Sequence, residues 1–186
     1  MLAPSFPIET DRLRLRPLRE QDAGALNAME SREDVTRWLY WDPRTPAETE
    51  QSLQMRIGRT HLTREGDALE LAVEQADSGE LLGTVTLMYR SELHRQGEIG
   101  FVLHPDHHGQ GYAREAAAAM LRLGFEQLGL HRIVGRCEPR NEASARLLER
   151  LGMRREAHLL ENEWVKGEWQ SELVYAMLDR EWRALA

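Results

Sequence analysis

The chain carries one cysteine, Cys137, and one lysine, Lys166, among 186 residues. A single thiol builds no disulfide framework, so a reducing compartment such as the cytoplasm is expected. No run of about 18 apolar residues is present, so no membrane span is expected, and the N-terminus lacks the charged-then-apolar pattern of a secretory leader. Positive charge is also scarce, with 24 Lys+Arg against 31 Asp+Glu and a net charge of −7. That balance argues against a nucleic-acid partner. No Gly-Lys-Ser/Thr follows the glycines, which argues against a P-loop nucleotide site. What is present, 41% hydrophobic and 30% charged residues, suits one domain over residues 1–186 with a sizeable core. The basic side is almost wholly arginine, whose planar fork grips phosphates and carboxylates.

Along the chain, Arg12-Leu13-Arg14-Leu15-Arg16 alternates with period two and predicts a half-buried strand ended by Pro17. Glu20–Met29 reads as a helix and Asp34–Leu39 as a short one. Trp38, Tyr40 and Trp41 cluster there, either packed under a loop or forming the wall of a substrate pocket. Thr45 and Pro46 open a helix as N-cap and first turn, expected to run to about Arg64 with Gly66 as its stop. Leu69–Glu74 and Leu81–Tyr89 read as strands of a hairpin closed by Asp77-Ser78-Gly79. Gly97–Leu103 is a strand, Gly111–Leu128 a helix stopped by Gly129, and Arg132–Cys137 a short apolar strand. Asn141–Arg150 is a helix ended by Gly152. Glu156–Trp164 and Glu172–Leu178 are the last strands, joined by Lys166-Gly167. A strand–helix–strand crossover forces the strands before and after the Gly111 helix to be parallel. The others follow in hairpin order. The expected fold is therefore a mixed α/β sheet, mostly antiparallel with one parallel pair, and helices on both faces.

The stretch His104–Arg122 carries the chemistry. An apolar strand leads into Gly109-Gln110-Gly111 and then an alanine-rich helix. The first N–H groups of a helix have no partner within it, and the helix dipole adds partial positive charge there. Gly109 and Gly111 keep side chains out of the way, so a phosphate or pyrophosphate fits that mouth. The motif is weak alone and gains weight from its place between strand and helix. Asn141 opens the second helix, either as its cap or as an amide offered to a ligand lying between the parallel strands.

Together these stretches resemble the GCN5-related N-acetyltransferase (GNAT) superfamily, and within it the ribosomal-protein N-terminal acetyltransferases of the RimJ/RimL-like branch. Five segments carry the resemblance, in the family's order. They are Thr10-Asp11-Arg12-Leu13-Arg14-Leu15-Arg16; Glu98-Ile99-Gly100-Phe101; Gly109-Gln110-Gly111-Tyr112-Ala113-Arg114-Glu115-Ala116; Asn141-Glu142-Ala143-Ser144 with Leu151-Gly152; and Gly167-Glu168-Trp169. The resemblance implies acetyl-CoA as donor, held where the parallel strands splay apart, and no metal. Its pantetheine arm would pair with the main chain of Phe101, Val102 and Leu103, with Asn141 and Ser144 alongside. Its pyrophosphate would take N–H groups from His108 through Gly109, Gln110, Gly111, Tyr112, Ala113 and Arg114. Arg114 and Arg146 are candidate phosphate partners. His107 and His108 titrate near neutrality and read as phosphate neighbours or surface.

Amine attack on a thioester needs a base, N–H donors for the developing oxyanion, here Val102 or Leu103, and stabilisation of the leaving thiolate. Much of the superfamily uses a tyrosine for the thiolate, at the position occupied here by Leu148. Ser144 is the candidate instead, by its match to the RimL-like serine. Glu163 is the expected base, again by resemblance, with Glu98 as second choice. Two departures from the family pattern are Asp106, ahead of the first motif glycine, and Ser171 after Trp169. The implied activity is acetylation of a primary amine, on a protein or peptide N-terminus. The alternatives are a small-molecule amine acetyltransferase (polyamine, amino sugar, aminoglycoside or amino acid) and a non-catalytic acyl-CoA-binding module. A homodimer is a family expectation.

Overall fold

The computed structural model describes residues 1–185. Its strands are β1 (Ile8–Glu9), β2 (Leu13–Pro17), β3 (Ala68–Gln75), β4 (Leu81–Ser91), β5 (Gln96–Leu103), β6 (Arg132–Cys137), β7 (Arg154–Val165) and β8 (Glu168–Leu178). They form one eight-stranded sheet in the order β1-β2-β3-β4-β5-β6-β8-β7. Every neighbouring pair is antiparallel except β5 and β6, which are parallel. The helices are α1 (Ala23–Glu30), α2 (Glu33–Thr36), α3 (Pro46–Arg56), α4 (Tyr112–Arg122), α5 (Glu142–Arg150) and α6 (Asp179–Leu185). Among the described residues, no helix is long and apolar enough to cross a membrane.

Alternation along β3 distributes the core to both faces. Leu69, Leu71 and Val73 join the main cluster with Ala116, Ala117, Met120 and Leu121 of α4. Ala72, turned the other way, joins a second cluster with Leu26 and Met29 of α1 and Leu53 of α3. Helices therefore cover both faces of the mixed sheet, as the order of elements required.

Several boundaries differ from the sequence expectation. The helix opened by Thr45, whose capping box with Glu48 is complete, ends at Arg56 rather than Arg64. Leu62 instead exchanges backbone hydrogen bonds with Leu2 (2.7 and 2.8 Å), and the Arg59 carbonyl accepts from the Glu70 N–H. Tertiary pairing there outcompetes helix continuation. The Gly111 helix is regular only to Arg122; residues Leu123–Gln127 form a wider π turn. A Cβ at Gly124 in that turn would lie 2.6 Å from Ile133 Cδ1, so a larger residue there requires the buried Ile133 side chain to shift. The first helix begins as a 3-10 turn (Glu20–Asp22), and the next is shorter than Asp34–Leu39 implied. The final hairpin is longer, with β8 starting at Glu168 instead of Glu172. β1 and α6 had no sequence counterpart. Arg16, apparently the solvent side of an alternating strand, is buried and held by Asp22 (2.8 Å, two bonds) and Glu74 (2.5 Å). Those partners hold its guanidinium pKa above the ordinary value, the Asp22 hydrogen bond contributing most.

Candidate active site

The β5–β6 pairing runs from Gln96 opposite Arg132 to Ile99 opposite Gly135 and stops. β5 continues to Leu103 alongside β4, so past Gly135 its other edge has no strand partner. Which main-chain groups face that gap follows from alternation. His104 donates its N–H to Leu82 on β4, so Val102 turns the same way and Phe101 and Leu103 turn toward the gap. The His108 ring agrees, since its Nε2 lies 3.0 Å from the Leu103 carbonyl oxygen. Beside the gap, α5 lays Leu148 on the face of β6 over Gly135. This side chain is 1% exposed and lies where a Cβ on Gly135 would fall, 2.4 Å from Leu148 Cδ2. The position a tyrosine would need is therefore core.

Two helix N-termini flank the gap. Gly111, at φ +85°, is the N-cap of α4 and brings no capping side chain, which leaves the first amides of that helix open. Gly109, at φ +76°, makes the turn before it. The loop is pinned from the far end of the chain. Arg12 donates to the Gln110 carbonyl oxygen (2.9 Å) and to Glu115, and its guanidinium lies 4.6 Å from the centre of the Tyr112 ring. Thr10 adds a hydroxyl bond to Glu115 at 2.6 Å. Burial works to raise the Glu115 carboxyl, but Thr10 and Arg12 together hold it below its ordinary value. At α5, Asn141 Oδ1 accepts the Ser144 N–H (3.1 Å), which leaves the Asn141 amide nitrogen without a partner among the described residues. Arg114 is exposed on the first turn of α4. Arg146 pairs with Glu142. Asp106 is 73% exposed with its carboxylate 3.7 Å from His104 Nδ1. The Gln110 side chain turns back onto the Asp106 carbonyl. The His107 ring faces Glu80 at 3.3 Å.

Phe101, Leu103, Gly109, Gly111, Arg114 and Asn141 line one cleft of about 1350 Å³ that continues past the gap to the aromatic cluster. Trp38, Tyr40 and Trp41 form its wall, together with Glu98, Glu163, Ser144 and Cys137. Tyr40 donates its hydroxyl to Glu163 at 2.6 Å, which joins the β7–β8 hairpin to the loop after α2. Desolvation at the phenol, and then this bond, push Tyr40 above its ordinary range. Lys166, the lone lysine, fastens the same two segments by donating to the Thr36 carbonyl oxygen at 2.8 Å. The Trp41 indole N–H is buried with no acceptor among the described residues. Glu98 is held from both sides, by Arg90 Nε (3.0 Å) and Arg136 Nε (3.4 Å). Burial, followed by Glu138, Glu172 and Glu149, pushes the Cys137 thiol up to about 11.

A profile described as an acetyltransferase (GNAT) domain matches residues 12–154. The chain belongs to the GNAT acetyltransferase family. It is 35% identical to the uncharacterized N-acetyltransferase YoaA of Bacillus subtilis, over 93% of this chain and 97% of that one. It is also similar to the spermidine N(1)-acetyltransferase of Vibrio cholerae, at 25% identity over 85% and 88% of the two chains. Among solved structures, a GNAT acetyltransferase from Bacillus anthracis superposes with a TM-score of 0.84 at 30% identity, covering 95% of this chain and 99% of that one. A putative ribosomal-protein-serine acetyltransferase from Vibrio cholerae superposes with a TM-score of 0.80 at 25% identity, covering 96% and 99%. The chain is thus an N-acetyltransferase, and GNAT acetyltransferases use acetyl-CoA.

Three parts of this GNAT site had no local signal in the sequence. The Arg12–Glu115 clamp, the Tyr40–Glu163 bond and the Arg90–Glu98–Arg136 bridge each join residues from separate elements. Arg12, Glu115, Tyr40, Glu163 and Glu98 are each singled out in the sequence, but their pairing is not, and Arg90 and Arg136 have no assigned role there.

Proposed function

We propose that this chain transfers an acetyl group from acetyl-CoA to the primary amine at a protein or peptide N-terminus. The supporting observation is that an unpaired strand edge and an uncapped, glycine-opened helix mouth share one cleft with a hydrogen-bonded carboxylate. Phe101 and Leu103 pair through main-chain groups with the pantetheine arm, and the Asn141 amide supplies a further donor. The N–H groups from Gly109 to Arg114 bind the pyrophosphate, with the Arg114 guanidinium within reach. Bound acetyl-CoA supplies an acyl thioester at the splay. The Leu103 N–H is the donor placed to stabilise negative charge on the acyl oxygen. Glu163 takes the proton from the incoming ammonium, and Tyr40 keeps its carboxylate in place. Ser144 supplies a hydroxyl to the departing sulfur. Glu98, whose Oε2 lies between two guanidinium groups, positions those groups rather than acting as base.

The named relatives offer both a ribosomal-protein acetyltransferase and a spermidine acetyltransferase as precedents. The cleft favours a single-amine acceptor. A polyamine needs several unpaired carboxylates along its length, whereas Glu30, Glu70, Glu98 and Glu172 are each bridged by arginine. Acetyl-CoA at 100 times its Kd should stabilise the fold by about 2.7 kcal/mol. Thiol release should then appear with an N-terminal peptide. No thermal shift sinks the donor assignment; a shift without thiol release from any amine leaves an acyl-CoA-binding module.

A further inference from the structure

Two chains of ion pairs cross the acceptor half of the cleft, and both end on an arginine at the same place. One runs Arg44–Glu30–Arg56–Glu70–Arg59, with contacts of 2.7, 2.6, 2.7 and 3.1 Å. The other runs Glu172–Arg136–Glu98–Arg90, with contacts of 2.7, 3.4 and 3.0 Å. Arg59 and Arg90 meet at a side hollow of about 420 Å³, which shares Arg59, Ala68, Met88 and Arg90 with the main cleft. Each spends one nitrogen on its carboxylate, Arg59 through Nη1 and Arg90 through Nε. Neither makes another side-chain hydrogen bond among the described residues, so most of both guanidinium forks stay open. The one carboxylate lining the hollow, Asp67, is occupied by the Thr63 N–H, the Thr63 hydroxyl and the Arg64 N–H at 2.8, 2.7 and 3.0 Å. Asp67 keeps its charge but turns it to Thr63 and Arg64, its Oδ1 lying 3.6 Å from Arg64 Nε, so Arg59 and Arg90 present the open guanidinium donors of the hollow. At the opposite end of the second chain Glu172 is paired with Arg136, and the carboxylate without an arginine partner among the described residues is Glu163, held by Tyr40.

A cleft with an arginine-free carboxylate, Glu163, at one end and two open guanidinium forks at the other is complementary to a molecule with an ammonium and an anion at its two ends. We propose that the acceptor is a primary amine that also carries a carboxylate or phosphate, with the anionic group bound between Arg59 and Arg90. The forks of two arginines suit such a group better than they suit any cation. This rests on the acetyltransferase reading and names the class of its acceptor.

The test is thiol release from acetyl-CoA with matched acceptors. The pairs are a free amino acid against its primary amide, O-phosphoethanolamine against ethanolamine, and a blocked-C-terminus tripeptide with Glu against Gln at its second residue. Spermidine is included. The anionic member of at least one pair should have the higher kcat/KM by tenfold or more. Which pair responds tells a free amino acid from a phosphorylated amine or an acidic N-terminus. In the Arg59→Gln/Arg90→Gln double variant that ratio should fall toward one through the KM of the anionic acceptor, with the acetyl-CoA KM unchanged. Should the double variant fail to fold, Arg90→Gln alone and the unmodified enzyme's ratios decide. Neutral acceptors or spermidine equalling the anionic ones, or a ratio that survives the substitution, overturns the proposal. Thermal stabilisation by acetyl-CoA without thiol release from any panel member also overturns the acceptor class while sparing the donor assignment.

Discussion

Arg12 holds Glu115 through two guanidinium nitrogens, Nε and Nη2, at 2.8 and 2.7 Å from Oε2. Residues distant in sequence thereby fix the first turn of α4, and the same guanidinium fixes the Gln110 carbonyl. The amides left open at Gly111 are useful to an anion only if the loop holds still. Arg12 is half exposed, so solvent screening tempers its contribution. Arg12→Ala should raise the acetyl-CoA KM about threefold to tenfold, the range of roughly 1 kcal/mol in binding, with kcat within about twofold. Steady-state kinetics with acetyl-CoA varied reads both constants. A fall in kcat at constant KM would contradict the role.

Gly135 marks the point where β5 and β6 part. An alanine Cβ there would lie 2.4 Å from Leu148 Cδ2 and 3.2 Å from Cδ1, and Leu148 is buried, so it must shift within the core. Overpacking of this kind costs about 1–3 kcal/mol, or a Tm loss of about 3–10 °C for a chain of this size. Gly135→Ala should also weaken acetyl-CoA binding, since Gly135 is the last β6 residue paired with β5 before the gap. Gly58→Ala is the control: a Cβ there meets nothing within 4 Å, and differential scanning calorimetry should show little change.

The donor half of the site was legible because its signals are local. A strand, two glycines and a helix read as an anion mouth from nearby residues, and Asn141 announced a helix N-terminus. The parallel pair followed from chirality and connection length alone. The acceptor half was not legible in the same way. Tyr40 and Glu163 are 123 positions apart and Arg136 and Glu172 are 36 apart, so no periodicity brings them together. The Thr45 helix was overextended for the same reason, because the Leu2–Leu62 bridge that ends it is invisible locally. Arg14 and Arg16 look alike in an alternating strand, yet only Arg16 finds Asp22 and Glu74 and goes inside. The elements came from patterns within about a dozen residues; the charge network came from the sheet order.

Glu163 and Tyr40 should separate in kinetics. Glu163→Gln removes the proposed proton acceptor and keeps the shape, so kcat should fall about 100-fold or more with the acetyl-CoA KM within about twofold. Tyr40→Phe removes only the hydrogen bond that holds the carboxylate and should cost less, roughly threefold to tenfold. Raising the pH should recover part of the Glu163→Gln loss, because more acceptor amine is then already neutral. An unchanged kcat in Glu163→Gln moves the proton transfer to water or to another group.

Cys137 offers a readout of burial inside the cleft. Thiolate is the reactive form. Burial and the surrounding carboxylates penalise it, so the thiol stays protonated until about pH 11. At pH 8 a thiol of that pKa holds roughly 200-fold less thiolate than a free cysteine titrating near 8.5. The folded protein should therefore take up iodoacetamide roughly tenfold or more slower than the urea-unfolded chain, since the greater nucleophilicity of a high-pKa thiolate offsets part of the deficit, and the lone cysteine makes the mass change unambiguous. The rate should climb about tenfold per pH unit between 8 and 10, where an ordinary thiol has begun to level off. Glu138→Gln should raise the rate by easing the repulsion on the thiolate. Rapid labelling at pH 8 in the native protein would show that Cys137 meets bulk water.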